Sequence, residues 1–254
     1  MYRRYLPWYV DEIKVTIKDP VIESYEKDSF TLLNWNVHKN NHHYKWLSDF
    51  KEILSNHSLD LISFQEYAKI NYQSIIDKEG EFGYGFFPNI SFKESQYGLL
   101  TAFKSKITSH KSIFTNDVEP WIKTPKTSFL TRYSLIDGST ISVINVHMIN
   151  FVKIKKFKEQ LSQIREIASK EDEKLILCGD FNTWSKKRMN LVLNLVSDLS
   201  LKQVGFVDNT HKKKILSHPL DHIFYRGLEV KESLILDQIK TSDHKPMLVR
   251  FKLI

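Results

Sequence analysis

The segment Leu175-Ile176-Leu177-Cys178-Gly179-Asp180-Phe181-Asn182 closes a short apolar run with an acid and an amide on alternate positions. A run this short, entered from the charged residues 170–174, reads as a buried strand. Alternation along a strand would point Asp180 and Asn182 the same way from its C-terminal end. A carboxylate and an amide side by side at a strand end suit metal-assisted attack of water on a phosphate. Other apolar runs end alike: 31–37 carries Asn36, 59–64 leads to Gln65 and Glu66, and 141–146 leads to His147. Later come Asp221 and the run Ser242-Asp243-His244. Taken singly, each has an ordinary reading as a loop start, a helix cap or a polar turn. Several polar strand ends facing one way converge on a shared cleft, where sheet enzymes place their sites.

The elements that must position these residues follow from period. Residues 31–37, 59–64, 97–103, 107–114, 127–136, 140–147, 175–180, 220–225, 228–236 and 246–251 read as strands, with Asp137-Gly138 a hairpin turn. Trp46, Leu47, Phe50, Ile53 and Leu54 recur at helical spacing, as do Phe151, Ile154, Phe157, Leu161, Ile164 and Ala168. Met189, Val192, Leu193, Val196 and Leu199 mark a third helix, with Thr183 or Ser185 as its cap. Many strands with a few helices predict two packed sheets flanked by helices. Residues 1–28, punctuated by Pro7 and Pro20, read as an N-terminal arm, and 29–254 as one catalytic domain.

Composition bounds the class. The chain has 254 residues, 41% hydrophobic and 26% charged, enough for a core and unlike a disordered chain. No segment has the apolar length of a membrane span, and residues 1–10 lack the apolar stretch of a secretory signal. The one cysteine, Cys178, falls inside a buried strand and reads as packing. These features predict a cytoplasmic protein, expected to be monomeric. The net charge of +7 fits an anionic partner such as nucleic acid, although many lysine-rich enzymes reach such a value without one.

The ordered set Trp35-Asn36-Val37, Gln65-Glu66, residues 97–100, Asn145-Val146-His147, Gly179-Asp180-Phe181-Asn182, Leu220-Asp221-His222 and Ser242-Asp243-His244 spans most of the chain. It resembles the endonuclease/exonuclease/phosphatase superfamily of DNase I-like proteins. Residues 179–190 and 220–227 are most like its bacterial YafD-like branch. The resemblance implies a four-layered α/β sandwich and a phosphoester hydrolase using Mg2+, with Mn2+ as an alternative. It implies that Glu66 is the main ligand of the ion, assisted by Asn36 and Asp243. Asp180 would orient or deprotonate water, and Asn182 would fix that water and donate to the phosphoryl oxygen. His147 would stabilise the transition state, and His244, oriented by Asp221, would contact the phosphate. Two departures narrow the substrate. His38 stands where abasic-site endonucleases carry an Asp, and His222 where inositol 5-phosphatases carry an Arg.

Basic and aromatic residues flank the motifs: Trp184, Lys186, Lys187 and Arg188; Lys212, Lys213 and Lys214; and Trp121, Lys123 and Lys126 in a loop. Lysine and arginine pair with phosphates, and aromatics stack on bases, so Trp184, Lys187 and Arg188 are the substrate-binding candidates. A solvated first helical turn accounts equally for Lys186 to Arg188. The expectation is a Mg2+-dependent phosphodiesterase acting on DNA or RNA. The alternatives are a hydrolase of small phosphorylated or phospholipid substrates and a non-catalytic binding module.

Overall fold

The computed structural model describes residues 14–71, 73–78, 80–119, 124–206, 214–215 and 218–254. In chain order the first elements are β1 (Thr16–Lys18), β2 (Ser29–Asn36), α1 (Tyr44–Asn56), β3 (Leu61–Ile70), β4 (Gly83–Phe92) and β5 (Ser95–Phe103). Next come β6 (Ile107–Val118), β7 (Pro125–Ser134), β8 (Thr140–His147), α2 (Ile154–Ala168), β9 (Leu175–Asp180) and α3 (Lys186–Asp198). The short strands β10 (Lys202–Gln203), β11 (Lys214–Ile215) and β12 (His218–Pro219) lead to β13 (Asp221–Arg226), β14 (Leu228–Ile235) and β15 (Met247–Leu253).

Two sheets result. The first has the order β1-β4-β5-β3-β2-β15-β14 and the second β10-β13-β9-β8-β7-β6. Alternation sorts their side chains into layers. Leu32, Leu61, Val143, Ile176 and Val249 pack between the sheets. Leu33, Trp35, Ile62 and Phe64 face Trp46 and Phe50 of α1 on the outside of the first sheet. Val146, Leu175 and Leu177 face Phe157 and Ile164 of α2 and Val192 of α3 outside the second. The chain is therefore a four-layered α/β sandwich, as the motifs implied.

Near the site the inter-sheet layer turns polar. Asn145 donates to the carbonyls of Phe64 and Leu100, each at 3.0 Å, and accepts from Gln65 Nε2 at 2.8 Å. Gln65 also donates to Asn34 Oδ1 at 3.1 Å. These bonds lock the two sheets in register directly beneath the cleft, because a buried amide left unpaired costs about 1–3 kcal/mol. Cys178 lies in the same layer, fully buried, and burial pushes its thiol up to about 12, so it stays unreactive.

Residues 14–28 are laid against the sheets. β1 pairs antiparallel with β4, and the buried Tyr25 donates its hydroxyl to the Ser29 carbonyl. β4 was not evident in the sequence, since Gly83, Gly85 and Pro88 break its alternation. Pro88 sits at an irregularity in the β4/β5 pairing, where a missing donor is tolerated. Among the described residues no helix is long and apolar enough to cross a membrane.

Candidate active site

Each sheet contains one parallel pair: β2 with β3, joined through α1, and β8 with β9, joined through α2. Parallel strands run the same way, so β2, β8 and β9 bring their last residues to one edge of the sandwich, and β3, which was expected to end at Gln65-Glu66 but continues to Ile70, brings those two residues there at a mid-strand irregularity. Asn36 is paired with Gln65 in the first sheet, and His147 with Asp180 in the second. Antiparallel β13 adds Asp221 opposite Asp180. His147, Asp180 and Asp221 thus form one row across three strands. Gly179 permits this row: its φ is +135°, and a Cβ there would lie 2.1 Å from the Val146 carbonyl oxygen.

Asp180 is the centre of the site and is buried. Its Oδ2 accepts from Asn36 Nδ2 at 3.1 Å and lies 3.6 Å from His147 Nε2 and 3.8 Å from His244 Nε2. Its Oδ1 accepts from the backbone N–H of Asn182 at 3.0 Å. Asn182 is positioned differently from the expectation. The strand ends at Asp180, and Asn182 sits in a turn with φ +50° rather than on the next strand position. Its amide donates to the Met148 carbonyl at 2.8 Å, which ties the β9 loop to the β8 loop.

His244 arrives from the other sheet, just before β15. Its Nδ1 lies 2.7 Å from Asp221 Oδ2. The backbone there is fixed by Ser242, whose hydroxyl donates to the Asn36 carbonyl at 2.7 Å, and by Trp35 Nε1 donating to the His244 carbonyl at 3.0 Å. A carboxylate on Nδ1 sets the tautomer and leaves Nε2 facing Asp180. Asp243 is on the open side, with Oδ1 3.6 Å from His38 Nδ1 and 3.9 Å from His244 Nε2.

Glu66 takes a left-handed backbone, φ +51°, at the β3/β5 irregularity, and this turns its carboxylate into the cleft. Its Oε1 is 3.8 Å from His147 Nε2, and its Oε2 is 3.8 Å from Lys39 Nζ. Burial alone would raise its pKa, but protonated His147 first, then Lys126 and Lys39, outweigh burial and bring it to about 2. Burial keeps the His147 imidazole well below its usual range, and Lys126 acts in the same direction. His147 is therefore neutral near neutral pH, where the cations acting on Glu66 are Lys126 and Lys39. Burial pushes Asp180 up to about 6, with His244 opposing the rise and Asp221 adding to it. Lys39 and Lys126 were not among the predicted site residues: Lys39 sits in a histidine-rich loop with no motif, and Lys126 was placed in a loop rather than at the start of β7.

Glu66 fits a hard divalent ion. It is an ionised oxygen donor, its side chain is 20% exposed, and its carboxylate makes no hydrogen bond among the described residues. The trio Asp180, Asp221 and His244 also offers donor atoms within 4.8 Å of one another. Its Asp221–His244 hydrogen bond occupies Nδ1, however, so the open carboxylate of Glu66 is the better ligand.

The substrate-binding candidates separate. Lys187 is exposed and Trp184 half-buried, with the indole N–H donating to Asn150 Oδ1 at 2.8 Å. Arg188 is not available to a substrate. It is buried, donates to the carbonyls of Ile149, Asn182 and Val152, and lies over the Phe157 and Trp184 rings at 4.5 and 4.7 Å. Desolvation lowers its pKa, but only to about 10, so it stays charged. His222 is likewise structural, sharing Nε2 with Thr183 Oγ1 at 2.8 Å and Nδ1 with Gln203 Nε2 at 3.2 Å. Trp121, Lys123, Lys212 and Lys213 lie outside the described residues, as does the Lys214 side chain.

A family model described as Endonuclease/Exonuclease/phosphatase family matches residues 33–244, which takes in all of these site residues. The chain belongs to this family. Members of the endonuclease/exonuclease/phosphatase family are hydrolases acting on phosphoester bonds. A UPF0294 protein of Vibrio parahaemolyticus is 30% identical over 230 residues, covering 90% of this chain and 79% of the relative. One from Vibrio campbellii is 36% identical over 136 residues, so there the chain spans about half the relative's length, 48%. Among solved structures, the human Nocturnin catalytic domain with bound sulfate superposes with TM-score 0.67 at 16% identity, covering 94% of this chain and 98% of that one. D. rerio TDP2 complexed with a single-strand DNA product gives 0.64 at 14% identity, covering 89% and 100%. At these identities the likeness is one of fold.

Proposed function

We propose that this family member is a Mg2+-dependent phosphodiesterase acting on nucleic acid in the cytoplasm. The observation that carries the reading is the convergence of Asn36, His147 and His244 on Asp180 Oδ2. Glu66, with Asn36 and Asp243, would hold the ion, which when bound supplies Lewis-acid stabilisation of charge on the phosphate. Asp180 takes the proton of the attacking water at Oδ2. Water oxygen bonds to phosphorus as the ester P–O bond breaks. Asn36 holds the carboxylate in place through its amide, and the second N–H of Asn182 remains for a phosphoryl oxygen. Neutral His147 donates a hydrogen bond without adding charge, whereas His244, paired with Asp221, is suited to carry a proton beside the anion.

Support for nucleic acid as substrate is the net charge of +7 with the exposed Lys186 and Lys187 beside the cleft. Arg188 lends none, because its donors are spent on the backbone. The test is a panel of plasmid DNA, RNA, a phosphomonoester and a phospholipid with Mg2+, run beside Asp180→Ala. Nicking that EDTA stops is the expected result. Turnover confined to the monoester or lipid would overturn the substrate, and an equally active Asp180→Ala would overturn the site.

A further inference from the structure

The turn that leaves β2 reaches the surroundings of all three residues assigned to the ion. The His38 N–H donates to Asn36 Oδ1 at 3.0 Å, and the Lys39 N–H donates to the Glu66 carbonyl at 2.9 Å. The Asn40 N–H closes the turn on the Val37 carbonyl at 2.9 Å, and its side-chain amide donates to the Thr241 carbonyl at 2.8 Å, two residues before Asp243. Asn41 is buried and exchanges two bonds with the Ala68 backbone, at 2.7 and 2.8 Å, just beyond Glu66.

This turn carries an unfavourable backbone. His38 and Lys39 are consecutive left-handed residues, φ +50° and +59°, and the conformation disfavours a residue with a Cβ. Both side chains meet a carboxylate assigned to the ion: His38 Nδ1 is 3.6 Å from Asp243 Oδ1, and Lys39 Nζ is 3.8 Å from Glu66 Oε2. These contacts do not offset the backbone cost, because pairs so long and so exposed return little. The backbone bonds hold the turn, and the turn aims the lysine. The Lys39 side chain is 43% exposed, its ammonium makes no hydrogen bond among the described residues, and it lies 5.9 Å from the Tyr97 ring centroid. It is a cation at the open rim of the site, beside Glu66, with its donors unspent.

An ion held by Glu66 changes this pairing. It takes up the carboxylate charge and repels a second cation beside it. Lysine is a point charge on a flexible four-carbon stem, so the ammonium turns to the nearest anionic oxygen. In a phosphoesterase that oxygen belongs to the phosphate. Resting on the metal-dependent phosphoesterase reading above, we infer that Lys39 is a further substrate ligand, an ammonium that the ion displaces from Glu66 and that then pairs with a phosphate oxygen. Ion and substrate are thereby coupled through one side chain, and each tightens the other by the same factor. Lys39 serves any phosphoester, so it acts on the phosphate and not on the base.

The experiment is calorimetry on the purified protein, first with Mg2+ alone and then with inorganic phosphate at saturating Mg2+. Wild type is compared with Lys39→Met, Lys39→Arg and the remote exposed control Lys170→Met. Lys39→Met should bind Mg2+ roughly 2–5-fold more tightly, because an exposed competitor is gone. It should bind phosphate on the order of 10-fold more weakly, through loss of a charged hydrogen bond. Lys39→Arg and Lys170→Met should stay near wild type in both. A merely structural role moves both affinities the same way, so the opposite signs are the signature. Phosphate affinity unchanged in Lys39→Met overturns the inference, as does Mg2+ affinity that fails to rise. Should Lys39→Met not fold, a wild-type crystal grown with Mg2+ and phosphate decides: a phosphate oxygen within hydrogen-bond distance of Lys39 Nζ supports the inference, and an ammonium still beside Glu66 overturns it. The opposite-sign signature without hydrolysis of any ester would sink the enzymatic reading and keep the ligand. Hydrolysis with phosphate indifferent to Lys39 would do the reverse.

Discussion

Asp221 and His244 share a hydrogen bond of 2.7 Å, and it decides which nitrogen of His244 meets the substrate. Asp221 comes from the second sheet and His244 from the approach to β15 in the first, so the bond also ties one sheet to the other across the cleft. His244→Ala should lower kcat/KM on the order of 10²–10⁴-fold. Asp221→Ala should lose a similar factor, and the double variant little more than either alone, because the two act as one unit. Losses that multiply in the double variant would show that the residues act independently.

The state of Asp180 predicts a pH profile. A base must be ionised to accept a proton, and burial holds this carboxyl up at about 6. The hydrolysis rate should therefore rise with pH through about 6 rather than near 4. The same shift has a sign for stability. The folded state keeps this proton more tightly than the unfolded chain, so Asp180 costs stability as pH rises from 3.8 to about 6. Asp180→Asn should abolish the rate and flatten that part of the stability curve, followed by urea unfolding at several pH values. An acid limb near 4 would remove Asp180 as the base.

Glu66 predicts a metal dependence that can be read without turnover. Glu66→Gln keeps the shape but removes the charge. Calorimetry with Mg2+ should show affinity falling by at least the order of 10–100-fold known for loss of a ligand's hydrogen-bonded support. Equal Mg2+ affinity in the variant would place the ion elsewhere, with Asp180, Asp221 and His244 the next set to test.

Arg188 and Lys187 are neighbours with opposite expected behaviour. Arg188→Met leaves three buried or half-buried carbonyls without their donor, and should cost about 2–4 kcal/mol in urea unfolding. Lys187→Ala should change stability by no more than about 0.5 kcal/mol and act, if at all, through KM for nucleic acid. A stable Arg188→Met with a raised KM would restore Arg188 to the substrate.

Much of this site was legible in the sequence for one reason. A strand that is apolar to its last residues and then polar announces both its burial and its open end, and Asn36, His147 and Asp180 have that form; Glu66 looked alike in the sequence, but β3 runs on past it to Ile70. What stayed hidden depends on long-range partners. Nothing in Lys186-Lys187-Arg188 marks which cation turns inward, because the carbonyls that claim Arg188 lie on the β8–α2 loop as well as its own. Asn182 reached the site by a turn and not by alternation, since β9 ends at Asp180 and Asn182 itself takes a φ of +50°. β4 was obscured by its own Gly and Pro, of which Pro88 is tolerated because the pairing there is irregular. Lys39 and Lys126 belong to no motif, and only the fold brings their charge to Glu66.

The pairing of β15 with β2 closes the first sheet with residues that come late in the chain; Ser242 and Asn36, which flank that junction, are 206 positions apart. A ribosome that has produced everything through β13 has already released Glu66, His147, Asp180 and Asp221. Yet β2 still has an open edge, and Asp221 still has no histidine. Competence thus arrives only when residues 242–253 have emerged and β15 can pair with β2.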